Sequence, residues 1–375
     1  MIDTVLCVDI GTTSLKSGLI TDGGEVVSFY TYRFENPCDR FIANEWLKGF
    51  NISVRRLFDK ADKNCDIFIK GISISGNGPT VVLPNGMTVR WNEKTPNYDM
   101  PSKEASFSLF LPKLLALKNL FPREFDKAIH VFSGPEYLIY QLTSKAVTVL
   151  PEKRFERAYW NDTILNQCNI TPSKLPPFIG IGDLCGNVTK KVLEETQLNK
   201  YIREGTPVFS AGPDFTAAMI GTNTLECGKI CDRSGSSEGF NFCVPRFIES
   251  NGVRSLPSVI SGLWNISVLT PSSSKMSTSK RLERVVDSIN KLREIAKENN
   301  LDFPPSMVVT GGQAKSNEYM IKKARLLHMN LIVSNCIDAE LIGDACAGWL
   351  GLGRYNSLQS AASAIFRKSV VYEGI

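Results

Sequence analysis

The sequence predicts an α/β fold built from two similar domains, and three observations predict it. Strand-like and helix-like segments alternate along the chain. A strand, polar turn and strand at the start return shortly after residue 222. At 375 residues the chain is longer than a usual single domain of roughly 100–200 residues.

Taken in order, Val5-Leu6-Cys7-Val8-Asp9-Ile10 is a buried-strand pattern. Gly11-Thr12-Thr13-Ser14 breaks it, and Leu15 to Ile20 resumes it. Asp22-Gly23-Gly24 forms a second turn and Glu25 to Tyr32 a third strand, so the chain opens as a β-meander. Trp46, Phe50, Val54, Leu57 and Phe58 recur at helical spacing. Ile67 to Ser75 is a further strand, and Thr206 to Ser210 another. Gly212-Pro213 ends the latter and starts a helix from Asp214 to Ile220, which Gly221 stops.

Cys227 to Val244 then repeats the opening theme, with Asp232-Arg-Ser-Gly-Ser-Ser aligned to Asp9-Ile-Gly-Thr-Thr-Ser. The predicted division is residues 1–221 and 222–375. In the second half, Leu282, Val285, Val286, Ile289, Leu292 and Ile295 form an apolar helical stripe behind a Ser-rich loop at 272–279. Met307 to Thr310 is a strand followed by Gly311-Gly312. Helices are predicted over Asn317 to Leu327 and Asp338 to Trp349. In the last of these, Ala339, Gly343 and Ala347 form a small-residue strip that lets another backbone approach closely.

Composition narrows the function classes. Hydrophobic residues make up 43% and charged residues 22%, a globular balance that excludes a disordered or collagenous chain. The net charge of +5 is mild and its basic residues are dispersed, which gives no footprint for nucleic acid. No apolar run reaches membrane-spanning length, and Met1-Ile2-Asp3 enters a strand without a basic leader, which points to the cytosol. Two histidines, His130 and His328, exclude a His-rich zinc site. The ten cysteines contain no CxxC pair; buried reduced thiols are the favoured reading, with a disulfide or metal site as the remainder.

Four motifs carry chemistry. In Asp9-Ile10-Gly11-Thr12-Thr13-Ser14-Leu15-Lys16, a tight turn aims backbone N–H groups at one spot as an anion nest. Hydroxyls add donors, Lys16 adds charge, and Asp9 can hold hydrated Mg²⁺. Ser234-Gly235-Ser236-Ser237-Glu238-Gly239 is a second Gly/Ser turn between strands. Asp214 opens a helix, where the dipole favours its ionised form. Beside a phosphate site it could take a proton from an attacking hydroxyl, a task that needs no strong base because phosphoryl transfer is loose. Gly311-Gly312-Gln313 suits a nucleotide phosphate or ribose close to backbone. Each also has an ordinary reading: a polar hairpin tip, a common Gly/Ser turn, a helix-start acid, a strand–helix turn. Neither a Walker A loop nor a complete GxGxxG is present in the required setting.

Asp9 to Lys16 resembles the first phosphate motif of the FGGY carbohydrate kinases, of the actin-like ATPase superfamily, and the likeness continues in order along the chain. Ile74-Ser75-Gly76-Asn77 resembles their sugar-contacting segment, and Trp91-Asn92 their Trp-centred substrate motif. Gly134 to Leu138 with Gln141-Leu142-Thr143 is similar to a family helix. Ala211 to Ala218 resembles the segment of the catalytic Asp, Ser234 to Gly239 the second phosphate motif, Gly311 to Ser316 the adenosine motif, and Ala339 to Ala347 its following helix. The resemblance implies two ribonuclease-H-like domains facing across a cleft and ATP-dependent phosphorylation of a sugar, polyol or sugar acid. Asp214 would be general base and hydrogen-bond the sugar, and Asp9 would position Mg²⁺. Gly11, Thr12, Thr13, Ser14 and Lys16, with Gly235 and Ser236, would hold the β- and γ-phosphates. Gly311, Gly312 and Gln313 would contact the α-phosphate and ribose, Ser316 the adenine edge, and Asn77, Trp91 and Asn92 the sugar. The implied partner is a small molecule, with no nucleic acid or membrane; a homodimer is compatible.

The chain also departs from the family. It is short, with the second domain trimmed between Phe240 and Met307. Residues 77–80 lack the Met-His of xylulose kinases and the Arg-Glu of glycerol kinases. Glu93 stands where Asp is expected, which would crowd or reposition the sugar, and the nearby Arg is absent. Two competing readings follow: an ATP-binding protein of this fold without kinase activity, acting as sensor or partner-binding module, and a kinase for a non-sugar acceptor.

Overall fold

In the computed structural model, which describes residues 2–61, 66–235, 238–270 and 276–375, each predicted strand–turn–strand segment becomes a hairpin in the interior of its own sheet. The chain divides into two units. One runs to Asp214 and takes back Ala347–Asn356; the other holds Phe215–Cys346 and Ser357–Ile375.

In the first unit, the strands Ile2–Ile10, Ser14–Ile20 and Val26–Arg33 form the predicted meander. Ile67–Gly76 joins Ile2–Ile10 in parallel, and Pro207–Pro213 joins Ile67–Gly76 in parallel. The two-residue strand Gly186–Asn187 closes that edge antiparallel. Parallel pairing needs long crossovers, and helices supply part of them. Ala43–Lys60 buries Trp46, Phe50, Val54 and Leu57 in one stripe, each contributing roughly 1.5–3 kcal/mol by apolar burial. Residues 347–356 belong to this unit because Gly348 lies against Val5 and Ser73, and Trp349 Nε1 donates to Ile20 O at 3.3 Å.

The second unit repeats the scheme. Ile230–Ser234, Glu238–Val244 and Trp264–Thr270 form a meander, and Ser306–Thr310 and Asn330–Ser334 extend it in parallel. Lys368–Tyr372 closes that edge antiparallel, and Arg254–Pro257 adds a strand at the other. The two sheets therefore share one order of six strands, which is the duplication that the short sequence match indicated. Thr278–Glu298, capped by Ser277, buries Leu282, Val285, Ile289, Leu292 and Ile295 against Phe240, Phe242 and Met307. The Ser-rich loop at 272–274 lies outside the described residues.

The helix Asp214–Gly221 packs with the second unit from Phe215 onward, although the sequence places the boundary after Gly221. The cause is close backbone packing. A Cβ on Gly221 would lie 1.8 Å from Ala339 O, and one on Gly343 would lie 2.0 Å from Ala217 O. The small-residue strip of the helix Ala339–Gly351 thus does what its composition predicts.

Candidate active site

The candidate site of the first unit is built at the ends of its three parallel strands. Asp9, Ser75 and Gly212 stand in one row across them, and Ile10, Gly76 and Pro213 in the next. Gly11, Asn77 and Asp214 are the residues that follow on each strand. With adjacent strands about 4.8 Å apart, the three backbones leave the sheet within roughly 10 Å of one another.

Local devices set each position. Gly11 N donates to Ser14 O at 2.9 Å, and a Cβ there would meet the same oxygen at 2.9 Å, so the turn closes tightly only on glycine. That bond occupies the Gly11 N–H. The Thr12 and Thr13 N–H groups have no hydrogen-bond partner among the described residues, which leaves them as the backbone donors at the tip. Gly76 lies so near Ile10 that a Cβ would come within 2.9 Å of the Ile10 Cβ. The strand Pro207–Pro213 bulges between Ser210 and Gly212, where Gly212 takes φ 74°. Ser210 Oγ holds the bulge by donating to Ile74 O at 2.6 Å and accepting from Gly212 N at 2.9 Å. The bulge re-aims the strand so that Asp214, half-buried, begins a helix at the strand end.

Asp9 is 3% exposed, with Ser75 Oγ 3.5 Å from its Oδ1 and Lys16 Nζ 3.8 Å from its Oδ2. Magnesium commonly keeps several waters and takes only one or two carboxylates besides substrate phosphates, so a single strand-end Asp beside free N–H donors fits it. No group of three or more His, Cys, Asp or Glu side chains that could hold a metal ion occurs among the described residues.

The segment expected to contact the sugar is tied to this hairpin. Trp91 Nε1 donates to Thr12 Oγ1 at 3.1 Å, and Trp91 N donates to Thr80 Oγ1 at 3.1 Å. Asn92 is exposed and Asn77 half-buried, its N–H donating to Ile10 O at 3.0 Å.

Glu93 lacks the neighbouring arginine of the resembled motif but meets other cations. Arg40, 53 residues upstream, donates to its carboxylate at 2.8–2.9 Å, and Arg90 Nε lies 4.0 Å away. Lys113 donates to the Glu93 carbonyl; burial pushes its amine pKa down, and the Glu93 carboxylate partly restores it. The longer side chain expected to crowd or reposition a sugar is held at its carboxylate by Arg40. Arg40, Thr80 and Lys113 escaped the sequence reading. Only Thr80 left a signal, within the quoted segment 77–80.

In the second unit, Gly235 follows the strand Ile230–Ser234, while Ser236 and Ser237 lie outside the described residues. Gly311 has φ 91°, and a Cβ would come within 2.7 Å of Ser234 O, so the glycine turn touches this hairpin at its last rung before the tip. Nothing stands within 4 Å of a Cβ placed on Gly312, which leaves space above that backbone. Gln313 is half-buried, and Ser316 Oγ accepts from Tyr319 N at 3.3 Å as a helix cap. The aligned aspartates differ in setting: Asp232 is fully buried and paired with Lys323. Apart from these positions, the first unit carries a cavity of about 600 Å³ lined by Leu83, His130, Phe132 and Tyr140 among others, with no predicted site residue in its wall.

No protein-family model matches the chain. In sequence it is 23% identical over 294 residues to a xylulose kinase of Staphylococcus xylosus, covering 64% of this chain and 59% of that one. It is 23% identical over 297 residues to a xylulose kinase of Lactococcus lactis, covering 66% and 58%. The chain thus spans about three fifths of the length of these curated relatives. Among solved structures it matches a ligand-bound xylulose kinase from Lactobacillus acidophilus with TM-score 0.77 at 13% identity, covering 100% of this chain and 94% of that one. A Plasmodium falciparum glycerol kinase with ADP gives TM-score 0.78 at 13% identity, again covering 100% and 94%. The fold is that of these carbohydrate kinases, and the sequence relatives agree with the FGGY resemblance carried by the motifs.

Proposed function

We propose that this chain, which carries the carbohydrate-kinase fold, is an ATP-dependent kinase that transfers the γ-phosphoryl group to a hydroxyl of a sugar, polyol or sugar acid. The observation that carries the proposal is the register that sets the ends of three parallel strands side by side, with Gly11, Asn77 and Asp214 as the residues that follow them. A phosphate-binding turn, a polar sugar-facing segment and a base are the parts that phosphoryl transfer to an alcohol requires.

In this reading Asp214 accepts the acceptor hydroxyl's proton as the oxygen attacks, and it orients that hydroxyl beforehand. The Thr12 and Thr13 N–H groups, the Thr12, Thr13 and Ser14 hydroxyls and Lys16 bind the phosphates. Asp9 would hold Mg²⁺, whose charge neutralises phosphate oxygens when bound. Asn77, Trp91 and Asn92 bind the acceptor. In the second unit, Gly235 and Ser236 bind phosphate, Gly311, Gly312 and Gln313 bind the nucleotide backbone, and Ser316 lies toward adenine. The bare backbone at Gly312 supports the nucleotide assignment. A cytoplasmic site of action belongs to the proposal, supported by ATP supply and by the free thiols of the described cysteines.

The test is ADP release across a panel of ketoses, polyols and sugar acids, with Asp214→Asn as control. Stimulated turnover that the variant loses supports the reading. ATP binding with no acceptor-stimulated turnover on any of them overturns it in favour of a nucleotide-binding protein without transfer.

A further inference from the structure

The second unit contains a buried charge cluster that none of the site assignments uses. Lys323, fully buried on the helix Asn317–Leu327, donates through Nζ to both Asp232 and Glu238. Glu238 also accepts from Ser234 Oγ at 2.8 Å and from Tyr319 OH at 3.1 Å. Tyr319 lies one helical turn before Lys323 on the same face. Asp232 and Glu238 stand on opposite legs of one hairpin, and Ser234 pairs with Glu238 as its last rung before the tip. One amine therefore holds both legs of that hairpin.

The helix bearing Lys323 starts directly after the turn at Gly311–Ser316, with Ser316 as its cap. At its other end that turn touches Ser234 O through Gly311. The Gly/Ser hairpin and the glycine turn are thus joined twice, by backbone contact and through Lys323.

Stability alone is a poor reason for such a cluster. Burying ions is costly, and apolar replacements of buried ion pairs are often neutral or stabilising. Here Asp232 Oδ1 is buried and has no hydrogen-bond partner, so the desolvation of that carboxylate is incompletely offset. What a fixed three-ion geometry does supply is one register between segments that apolar contacts would allow to slide.

We propose that Lys323 is a positioning residue for the nucleotide: it locks the Gly235 hairpin to the Gly311–Gln313 turn, so that both present their backbone groups to one ATP. The proposal rests on the kinase reading above and adds to it a residue that does not itself touch nucleotide.

The experiment compares the parent with the charge-free triple variant Asp232→Asn, Glu238→Gln, Lys323→Met. ATP affinity is measured by fluorescence of a methylanthraniloyl-ATP probe, and melting temperature is followed in parallel. The triple variant should melt within a few degrees of the parent yet bind the probe about tenfold or more weakly, with the KM of the acceptor unchanged. Tyr319→Phe, which leaves every ion paired and removes one hydrogen bond from Glu238, should weaken binding about threefold. It keeps the test decisive if the triple variant fails to fold. Unchanged probe affinity in a folded triple variant, or in Tyr319→Phe when the triple variant does not fold, overturns the positioning role alone. A parent that binds no probe overturns the kinase reading and this proposal with it.

Discussion

The indole N–H of Trp91 donates to the hydroxyl of Thr12 at 3.1 Å, across 79 residues of sequence. One side chain of the proposed acceptor segment thus rests on the turn proposed to hold phosphate. Thr80 holds the Trp91 backbone at the same time, so the ring is positioned from two sides.

Trp91→Phe keeps an aromatic ring and removes this donor. A neutral hydrogen bond contributes about 1 kcal/mol net, so KM should rise about threefold to tenfold for both acceptor and ATP. Steady-state kinetics with each substrate varied in turn checks it. An effect confined to the acceptor would show that the link does not reach the hairpin.

Asp214→Asn preserves size and removes the proposed base. Loss of a general base costs about 10²–10⁴ in rate, so kcat should fall by at least about a hundredfold while ATP affinity stays within several-fold. Single-turnover transfer and probe binding separate the two quantities.

Lys16→Ala removes a partly exposed cation 3.8 Å from Asp9. If, as proposed, this charge faces the transferring group, it acts mainly in the transition state, and turnover should fall about a hundredfold with acceptor binding little changed. Unchanged turnover would remove the hairpin from phosphate binding.

Gly221→Ala puts a methyl group where Ala339 O lies 1.8 Å away, against backbone that has no rotamer to move. Overpacking costs roughly 1–3 kcal/mol, and this contact belongs at the upper end. Thermal denaturation should show a melting temperature lower by several degrees; an unchanged value would mean that the two helices part freely.

Cysteine reactivity reads burial independently of any activity. Desolvation pushes the Cys231 and Cys243 thiols up to about 12, and raises Cys185 and Cys346 as well. A raised pKa keeps the thiol protonated at pH 8, and only the thiolate alkylates. Iodoacetamide should therefore label exposed Cys38 and Cys227 in the native protein and leave these four unlabelled until denaturant is added. Mass spectrometry of the digests gives the answer; early labelling of Cys231 would contradict the buried strand that holds it.

What the sequence determined by itself is local or periodic. The hairpin around Gly11 is legible because two apolar runs flank a Gly-hydroxyl turn, and the turn's geometry is settled by neighbours within five residues. The helix Asn317–Leu327 and the small-residue strip at Ala339 and Gly343 are legible because burial on one face imposes a spacing on the chain. The duplicated strand order was announced by a short repeated motif, since the same pattern buries itself in the same way.

The tertiary structure alone decided which distant side chains meet. Arg40 finds Glu93, Trp91 finds Thr12, and Lys323 finds Asp232 and Glu238, across 53 to 91 residues. No spacing rule marks such pairs, because strand order and register bring them together. The edge strand Lys368–Tyr372, mostly exposed, shows no apolar alternation for the same reason: its partner's backbone places it, and its side chains carry no burial signal. The row of Gly11, Asn77 and Asp214 joins both kinds of information. Each residue is visible in its own motif, and the parallel register, with a bulge between Ser210 and Gly212, brings the strand ends that carry them side by side.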